Sequence, residues 1–338
     1  MYKTLVVHHR SGIGDLVWHV PYIRAIAENS ANGKVTVLAR PSCMAADLLA
    51  GEKCVEEVIE YDRRPRDKSR KGKHDSLVGQ LRLSRELRKK KFDRIVIFSS
   101  RTRYGILALL AGIPLRLGFG FSAVERAFLN CPPYIKRFAG QGSWVYPEAT
   151  NFAMAHRFTT QPIVPKLSVP ASMLDEMSLQ LAPMRRPRVA LAIGASNREK
   201  NWGIENFAHL AEKLLERGCS ILVLGGPAEK TVAERQFSSL AATRPQQVQV
   251  MCQPSVLRSA AALSGCDLCI GNDTGVLNMA VAVDLPAVGL FGHTLPLKHD
   301  PLLHGISGTD MANISVESIM KRLAELNLLA PELFAADK

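Results

Sequence analysis

Short runs rich in Val and Ile alternate with longer amphipathic stretches along nearly the whole chain, and this alternation restricts the fold more than any other feature. In the first half the runs fall near Thr4–His8, Val35–Leu38, Val55–Ile59 and Arg94–Phe98, with helical spacing between them. Strands separated by helices are the mark of βαβ units and a parallel sheet. The alternation lapses over 161–187, QPIVPKLSVPASMLDEMSLQLAPMRRP, where five prolines leave room for one short helical segment. It resumes with runs at Arg188–Ile193, Ser220–Leu224, Val248–Met251, Leu268–Ile270 and Ala287–Phe291, and ends in a helix near Val316–Asn327. A chain of 338 residues fits roughly two domains of ordinary size. The expected fold is therefore α/β, with two Rossmann-like parallel-sheet domains facing across a cleft. The first spans 1–165, a linker spans 166–187, and the second spans 188–338.

Several function classes lose support at once. No apolar run reaches the ~18 to 20 residues that a membrane span needs; the longest, Tyr104–Leu115, is short and holds Gly and Pro. The chain starts directly on a strand, with no signal-peptide core. Seven cysteines lie scattered among apolar neighbours without a paired framework, which suits reduced thiols. Cys266 and Cys269 form a C-x-x-C on an expected buried strand with no second pair nearby, so a core role is expected. A soluble, cytoplasmic protein follows as the expectation. The formal charge of +12 attracts anions in general, whether nucleic acid, membrane surface or phosphorylated substrate. Much of the excess lies between Arg63 and Arg94. It reads either as a solvated loop and helix face or as a patch drawn to an anionic membrane leaflet, at about 1 kcal/mol per basic residue near the surface. The run lacks interleaved aromatic residues, so nucleic acid is not an expected partner.

Open parallel sheets bind ligands beyond the carboxyl ends of their strands, which directs attention to four turns. Leu263–Pro301 reads as a buried strand, a polar turn Gly271-Asn272-Asp273-Thr274-Gly275, an apolar helix and a second buried strand. Free N–H groups and the helix dipole suit phosphates there, and Asp273 suits sugar hydroxyls. Arg10-Ser11-Gly12-Ile13-Gly14-Asp15 follows the first strand; Gly12 and Gly14 permit close backbone approach. Asp15 is open to two readings, a general base or a first-turn helix acid. The dinucleotide fingerprint fails because Val17 stands at its third glycine, which disfavours a nicotinamide oxidoreductase. Gly194–Trp202 offers Ser196 and, at a helix entrance, Lys200 to a diphosphate; Lys200 could equally be a surface lysine. Gly225-Gly226-Pro227-Ala228-Glu229 offers a carboxylate for ribose hydroxyls, or a plain helix start. The chain has no D-x-D pair, no H-E-x-x-H, no G-x-S-x-G and no Walker motif, so no metal site and no cofactor are expected.

The segments SGIGDLVWHVPYIRAI, FSSRTRYGILALLAGIPLRLGF, GASNREKNW, LGGPAEK and IGNDTGVLNMAVAVDLPAVGLFG resemble, in order and spacing, the heptosyltransferases of lipopolysaccharide core assembly, glycosyltransferase family nine. The resemblance covers nearly the whole chain. It implies a GT-B fold and an inverting, metal-independent sugar transfer, with an ADP-heptose donor on the second domain and an anionic lipopolysaccharide core acceptor on the first. It implies Asp15 as base and Lys200 as the cation facing the departing diphosphate. It further implies Ser196, Thr274 and Gly275 at the phosphates, Asp273 at the donor sugar, Glu229 at the ribose, and Gly12, Gly14, Arg101 and Arg103 on the acceptor side. The family pattern has a histidine where this chain has Asn278, and Gly-Pro-Thr where it has Gly292-His293-Thr294. Both positions belong to the donor side, so a different nucleotide sugar, or an idle binding protein on the same fold, are the alternatives.

Overall fold

A computed structural model describes residues 1–63, 65, 70–296 and 298–328; residues 64 and 66–69 of the expected basic run, and the end of the expected second domain, lie outside them. The chain divides into two compact units, Met1–Pro165 and Lys166–Lys338. The first unit runs β1 (Tyr2–His8), α1 (Ile13–Glu28), β2 (Ser30–Ala39), α2 (Ala45–Leu48), β3 (Val55–Glu60), α3 (Leu77–Lys89), β4 (Arg94–Phe98), α4 (Thr102–Leu110), β5 (Leu115–Gly118), α5 (Ala123–Arg126) and α6 (Val145–Ala155). The second runs α7 (Ala171–Leu181), β6 (Arg188–Ala192), α8 (Ile204–Leu215), β7 (Ser220–Gly225), α9 (Lys230–Thr243), β8 (Val248–Cys252), α10 (Val256–Ser264), β9 (Leu268–Asn272), α11 (Gly275–Ala282), β10 (Ala287–Phe291), β11 (Leu303–Ser307) and α12 (Val316–Glu325).

Each unit holds one sheet, ordered β3-β2-β1-β4-β5 in the first and β11-β10-β9-β6-β7-β8 in the second. The paired strands are parallel throughout. Helices cover the sheets on both faces, so central strands are apolar on every side: Leu5, Val6 and Val7 of β1, like Val189, Ala190 and Leu191 of β6, are fully buried. Such continuous apolar runs are why the central strands were readable from the sequence. Two edge strands were not expected, β5 and β11. The sequences LRLG and LHGIS carry charge, glycine or histidine, because an edge strand is half exposed and does not need an apolar run.

The stretch 166–187, expected as a linker, belongs to the second unit. Leu167 N–H donates to the Ala282 carbonyl at 2.8 Å, α7 lies against α10, and Met177 and Leu181 are buried. Its prolines interrupt regular structure without preventing its apolar side chains from finding burial. Gly265 makes the room: a Cβ there would lie 2.7 Å from a Leu181 methyl.

In both sheets the chain leaves the first strand toward one edge and returns to the other side of it, so the strand order reverses between β1 and β4 and again between β6 and β9. Crevices at such reversals, beyond the carboxyl ends of the strands, are where doubly wound sheets take ligands.

Candidate active site

At the reversal in the first unit, β1 ends at His8 and β4 at Phe98, and the residues that follow them meet. A cavity of about 280 Å³ is lined by His9, Arg10 and Ser11 after β1, Arg40 after β2, Tyr61 and Arg63 after β3, and Arg101, Arg103 and Tyr104 after β4. Four neighbouring strands thus each deliver at least one arginine to one space. The Arg10 guanidinium lies 4.6 Å from the Trp144 ring and donates to Asp15 Oδ2 at 3.2 Å. Arg40 donates to the Arg63 carbonyl at 2.8 Å. Among the described residues the side chains of Arg101 and Arg103 make no hydrogen bond or ion pair, so their donors are available to a ligand. The nearby carboxylate of Asp62 is already engaged: Arg70 grips both its oxygens at 2.7 and 3.2 Å, and these bonds hold its carboxyl below the usual range. His9 donates from Nδ1 to the Phe98 carbonyl at 3.0 Å. Burial pulls its pKa down to about 4 against that bond, with the charges of Arg10, Arg101 and Arg103 adding to the effect. His9 is therefore a neutral member of a strongly cationic wall.

Asp15 is the third residue of α1, with Gly12 as the helix cap and no side-chain cap bond. Its side chain is 20% exposed, enough to reach a bound molecule. A Cβ at Gly12 would lie 2.9 Å from Asp15 Oδ2, so a side chain there would displace the Asp15 carboxylate. Gly14, expected on the acceptor side, is instead buried inside α1. Behind Asp15, one helical turn on, His19 Nδ1 lies 2.9 Å from His8 Nδ1, both rings fully enclosed. Burial pulls His19 down to about 3 and lowers His8 well below its ordinary value, so the pair is neutral and one ring donates to the other.

At the reversal in the second unit, the loop after β6 and the turn after β9 are clasped together by Asn272. This fully buried amide donates to the carbonyls of Ile193 (2.9 Å) and Gly194 (3.1 Å) and accepts from Trp202 N–H (3.1 Å). The polar turn is consequently shorter than expected: Gly271 and Asn272 belong to β9 and Gly275 to α11, leaving Asp273 and Thr274 between them. Gly271 fits the strand because a Cβ there would meet the Ala192 Cβ at 2.4 Å. Lys200 does not open a long helix. It closes a 3-10 turn, Arg198–Lys200, capped by Asn197, and α8 starts only after Gly203, whose φ of +96° suits glycine. From there Lys200 Nζ reaches Asp273 Oδ2 at 2.5 Å, and Thr294 Oγ1 donates to the same oxygen at 3.0 Å.

α11 starts with no side-chain cap on its N–H groups, which leaves the first-turn donors for a ligand. Thr274 Oγ1 and Asn278 Oδ1 beside them are buried without a hydrogen-bond partner among the described residues, and orphaned buried polar atoms are uncommon. Asn278 gives its Nδ2 to the Thr274 carbonyl at 3.3 Å, so it braces the turn. Glu229 precedes α9 and accepts from Gly226 N–H at 2.9 Å; the helix opens at Lys230, after the expected Pro227 start. Ser196 is exposed and takes no part in this network. The pair Cys266 and Cys269 lies in the core, and burial pushes the Cys266 thiol up to about 12. Sequence reasoning assigned no role to Arg10, Arg40 or Asn272, placed Arg63 only at the start of the basic run, and named Thr294 only beside the His293 departure. Arg10, Arg40, Arg63 and Thr294 stand just past strand ends and Asn272 is the last residue of β9, and those positions were the available signal.

The family model described as glycosyltransferase family 9 (heptosyltransferase) matches residues 80–322. Lipopolysaccharide heptosyltransferase 2 of Salmonella typhimurium is 24% identical over 238 residues, which is 66% of this chain and 66% of that relative. Among solved structures, Escherichia coli ADP-heptose lps heptosyltransferase II superposes with a TM-score of 0.74 at 19% identity, covering 98% of this chain and 99% of that one. Escherichia coli heptosyltransferase WaaC with ADP-2-deoxy-2-fluoro heptose gives 0.70 at 17% identity, covering 96% and 99%. At these identities the superpositions speak for the fold.

Proposed function

The chain belongs to glycosyltransferase family 9, and from that premise we propose that it moves heptose from an ADP-linked donor to a hydroxyl of an anionic lipopolysaccharide core acceptor, with inversion. The observation that carries this reading is the arginine cavity at the end of β1 to β4: a space of about 280 Å³ lined by five guanidiniums suits an acidic sugar, since guanidinium forks match carboxylate and phosphate. Asp15 beside it takes the proton from the acceptor hydroxyl as that oxygen attacks the anomeric carbon. The bond from that carbon to the diphosphate breaks on the opposite side, and ADP departs with the electron pair. In the second unit, Lys200 and the uncapped start of α11 oppose the charge that develops on the diphosphate. Asp273, whose Oδ2 is occupied by Lys200 and Thr294, has Oδ1 to accept from sugar hydroxyls.

The lipid portion of such an acceptor brings the chain to the cytoplasmic face of the inner membrane as a peripheral protein. A second reading is favoured by Asn278 and His293, which stand where the family pattern differs, Asn278 also bracing the Asp273–Thr274 turn; on that reading the donor is another nucleotide sugar. Thermal shift with ADP, UDP, GDP and NAD separates the two. A nucleotide at a hundredfold its dissociation constant stabilises by about 2.7 kcal/mol. Selective stabilisation by ADP is expected. A preference for UDP would retain the transferase and reject the ADP donor, and a preference for NAD would reject both.

A further inference from the structure

α3 and α4 both cover one face of the first unit's sheet. Leu83 and Leu87 of α3, with Tyr104, Leu107 and Ala108 of α4, close the core over Leu5, Val7, Ile95 and Ile97. Outside that buried stripe the same helices leave aliphatic side chains in water. α3 exposes Leu77 (84%), Val78 (66%) and Leu81, and α4 exposes Ile106, Leu109 and Leu110. The spacing of each trio puts it on one outward face of its helix. The helices touch, with the Arg88 guanidinium donating to the Leu110 carbonyl at 2.7 Å. Aliphatic clusters of this kind on a soluble surface mark an interaction site.

The surrounding charge identifies the partner. Arg82, Arg85 and Lys89 are exposed on α3, whose single acidic residue is Glu86. Exposed aliphatic residues interspersed with basic ones fit an anionic bilayer, where the cations meet lipid phosphates and the aliphatic groups enter the boundary between headgroups and acyl chains. α4 also ties this face to the cavity, since Arg103 and Tyr104 in its first turn line the arginine-rich space. We propose that the α3/α4 face docks on an anionic membrane leaflet by shallow insertion of these aliphatic side chains. This docking keeps the arginine cavity at the surface in which the acceptor's lipid is anchored; only this last step rests on the acceptor assigned above.

The test is flotation of the full chain with vesicles of phosphatidylcholine alone or mixed with phosphatidylglycerol, in the absence of donor and acceptor. The variants are L77S/V78S/L109S/L110S and R82Q/R85Q/K89Q, whose altered side chains are all exposed, with a melting curve as the check on folding. Wild type is expected to float with the phosphatidylglycerol vesicles, and each variant to bind about tenfold more weakly or worse. At about 1 M salt, where the Debye length falls to ~3 Å, wild type should retain binding that the serine variant lacks. Binding untouched by the serine changes, binding abolished by salt in wild type, or no binding at all would each overturn the proposal. So would self-association of wild type that the serine variant loses, which would make a second copy the occupant. Transfer to a lipid-free acceptor should be equal in wild type and serine variant. If neither transfers while vesicle binding behaves as expected, the acceptor assignment fails and the docking face stands.

Discussion

Replacing Asn272 by alanine tests whether the second unit's site is a clasped pair of loops. The side chain makes three hydrogen bonds, two from Nδ2 to the Ile193 and Gly194 carbonyls and one from Trp202 N–H to Oδ1, all in a fully buried setting. At a net ~1 kcal/mol each, their loss amounts to about 3 kcal/mol, more if water cannot reach the stranded backbone groups. For a unit of this size 1 kcal/mol moves the melting temperature by roughly 2 to 4 °C, so Asn272→Ala should melt about 6 to 12 °C lower in the transition of the second unit. Asn272→Asp keeps the shape but sets carboxylate oxygen against two carbonyls, and should cost at least as much. Nucleotide affinity should fall in the same variants by about tenfold or more, because Asp273 and Thr274 follow Asn272 directly and Lys200 lies on the loop that it holds. Differential scanning calorimetry with and without ADP reads both quantities. A shift below about 2 °C, under 1 kcal/mol on the same scale, with ADP affinity unchanged would refute the clasp.

Arg103→Gln should raise the acceptor KM by about tenfold to a hundredfold, the worth of one charge-assisted hydrogen bond, while leaving nucleotide affinity as it was; steady-state kinetics with the acceptor varied decides this. Lys200→Ala should lower kcat by about a hundredfold to a thousandfold, and a variant with normal kcat would remove Lys200 from leaving-group stabilisation. Stability of the first unit should fall in acid. His8, His9 and His19 are held neutral when folded, His9 at about 4 and His19 at about 3, and titrate near 6.5 when unfolded. Their contribution is complete above about pH 6.5 and is lost as the unfolded chain takes up protons that the folded chain refuses. Each costs up to about 1.4 kcal/mol per pH unit between 6.5 and its folded value. Urea midpoints measured from pH 7 to 5 should decrease, and a flat profile would contradict the buried neutral histidines.

The central strands were legible in the sequence because both their faces are buried, so Leu5 to Val7 or Ala190 to Leu191 can only be apolar. The edge strands β5 and β11 carried no such pattern. Arg101 and Arg103 came from the family resemblance, whereas Asp15, Lys200 and Asp273 stand in turns that follow strands, where a motif can be read locally. Arg40 and Arg63 stand in equivalent places, but their convergence with Arg10 depends on β3, β2, β1 and β4 being neighbours, and strand order is not written in any local stretch. Asn272 was hidden for a related reason. It looked like one more polar turn residue, whereas its partners at Ile193, Gly194 and Trp202 lie some seventy to eighty positions away. The prolines of 166–187 suggested a linker because proline interrupts local structure, yet burial of Leu167, Met177 and Leu181 is a property of the folded second unit.

The most direct test of the central claim is mass spectrometry of a lipid-free core oligosaccharide incubated with ADP-heptose and either wild-type chain or Asp15→Ala. Wild type should add the mass of one heptose and release ADP. Asp15→Ala should bind ADP as wild type does yet transfer about a hundredfold to ten-thousandfold more slowly, the span attributed to a general base. No product from wild type with ADP-heptose, or equal turnover by the two proteins, would contradict the account.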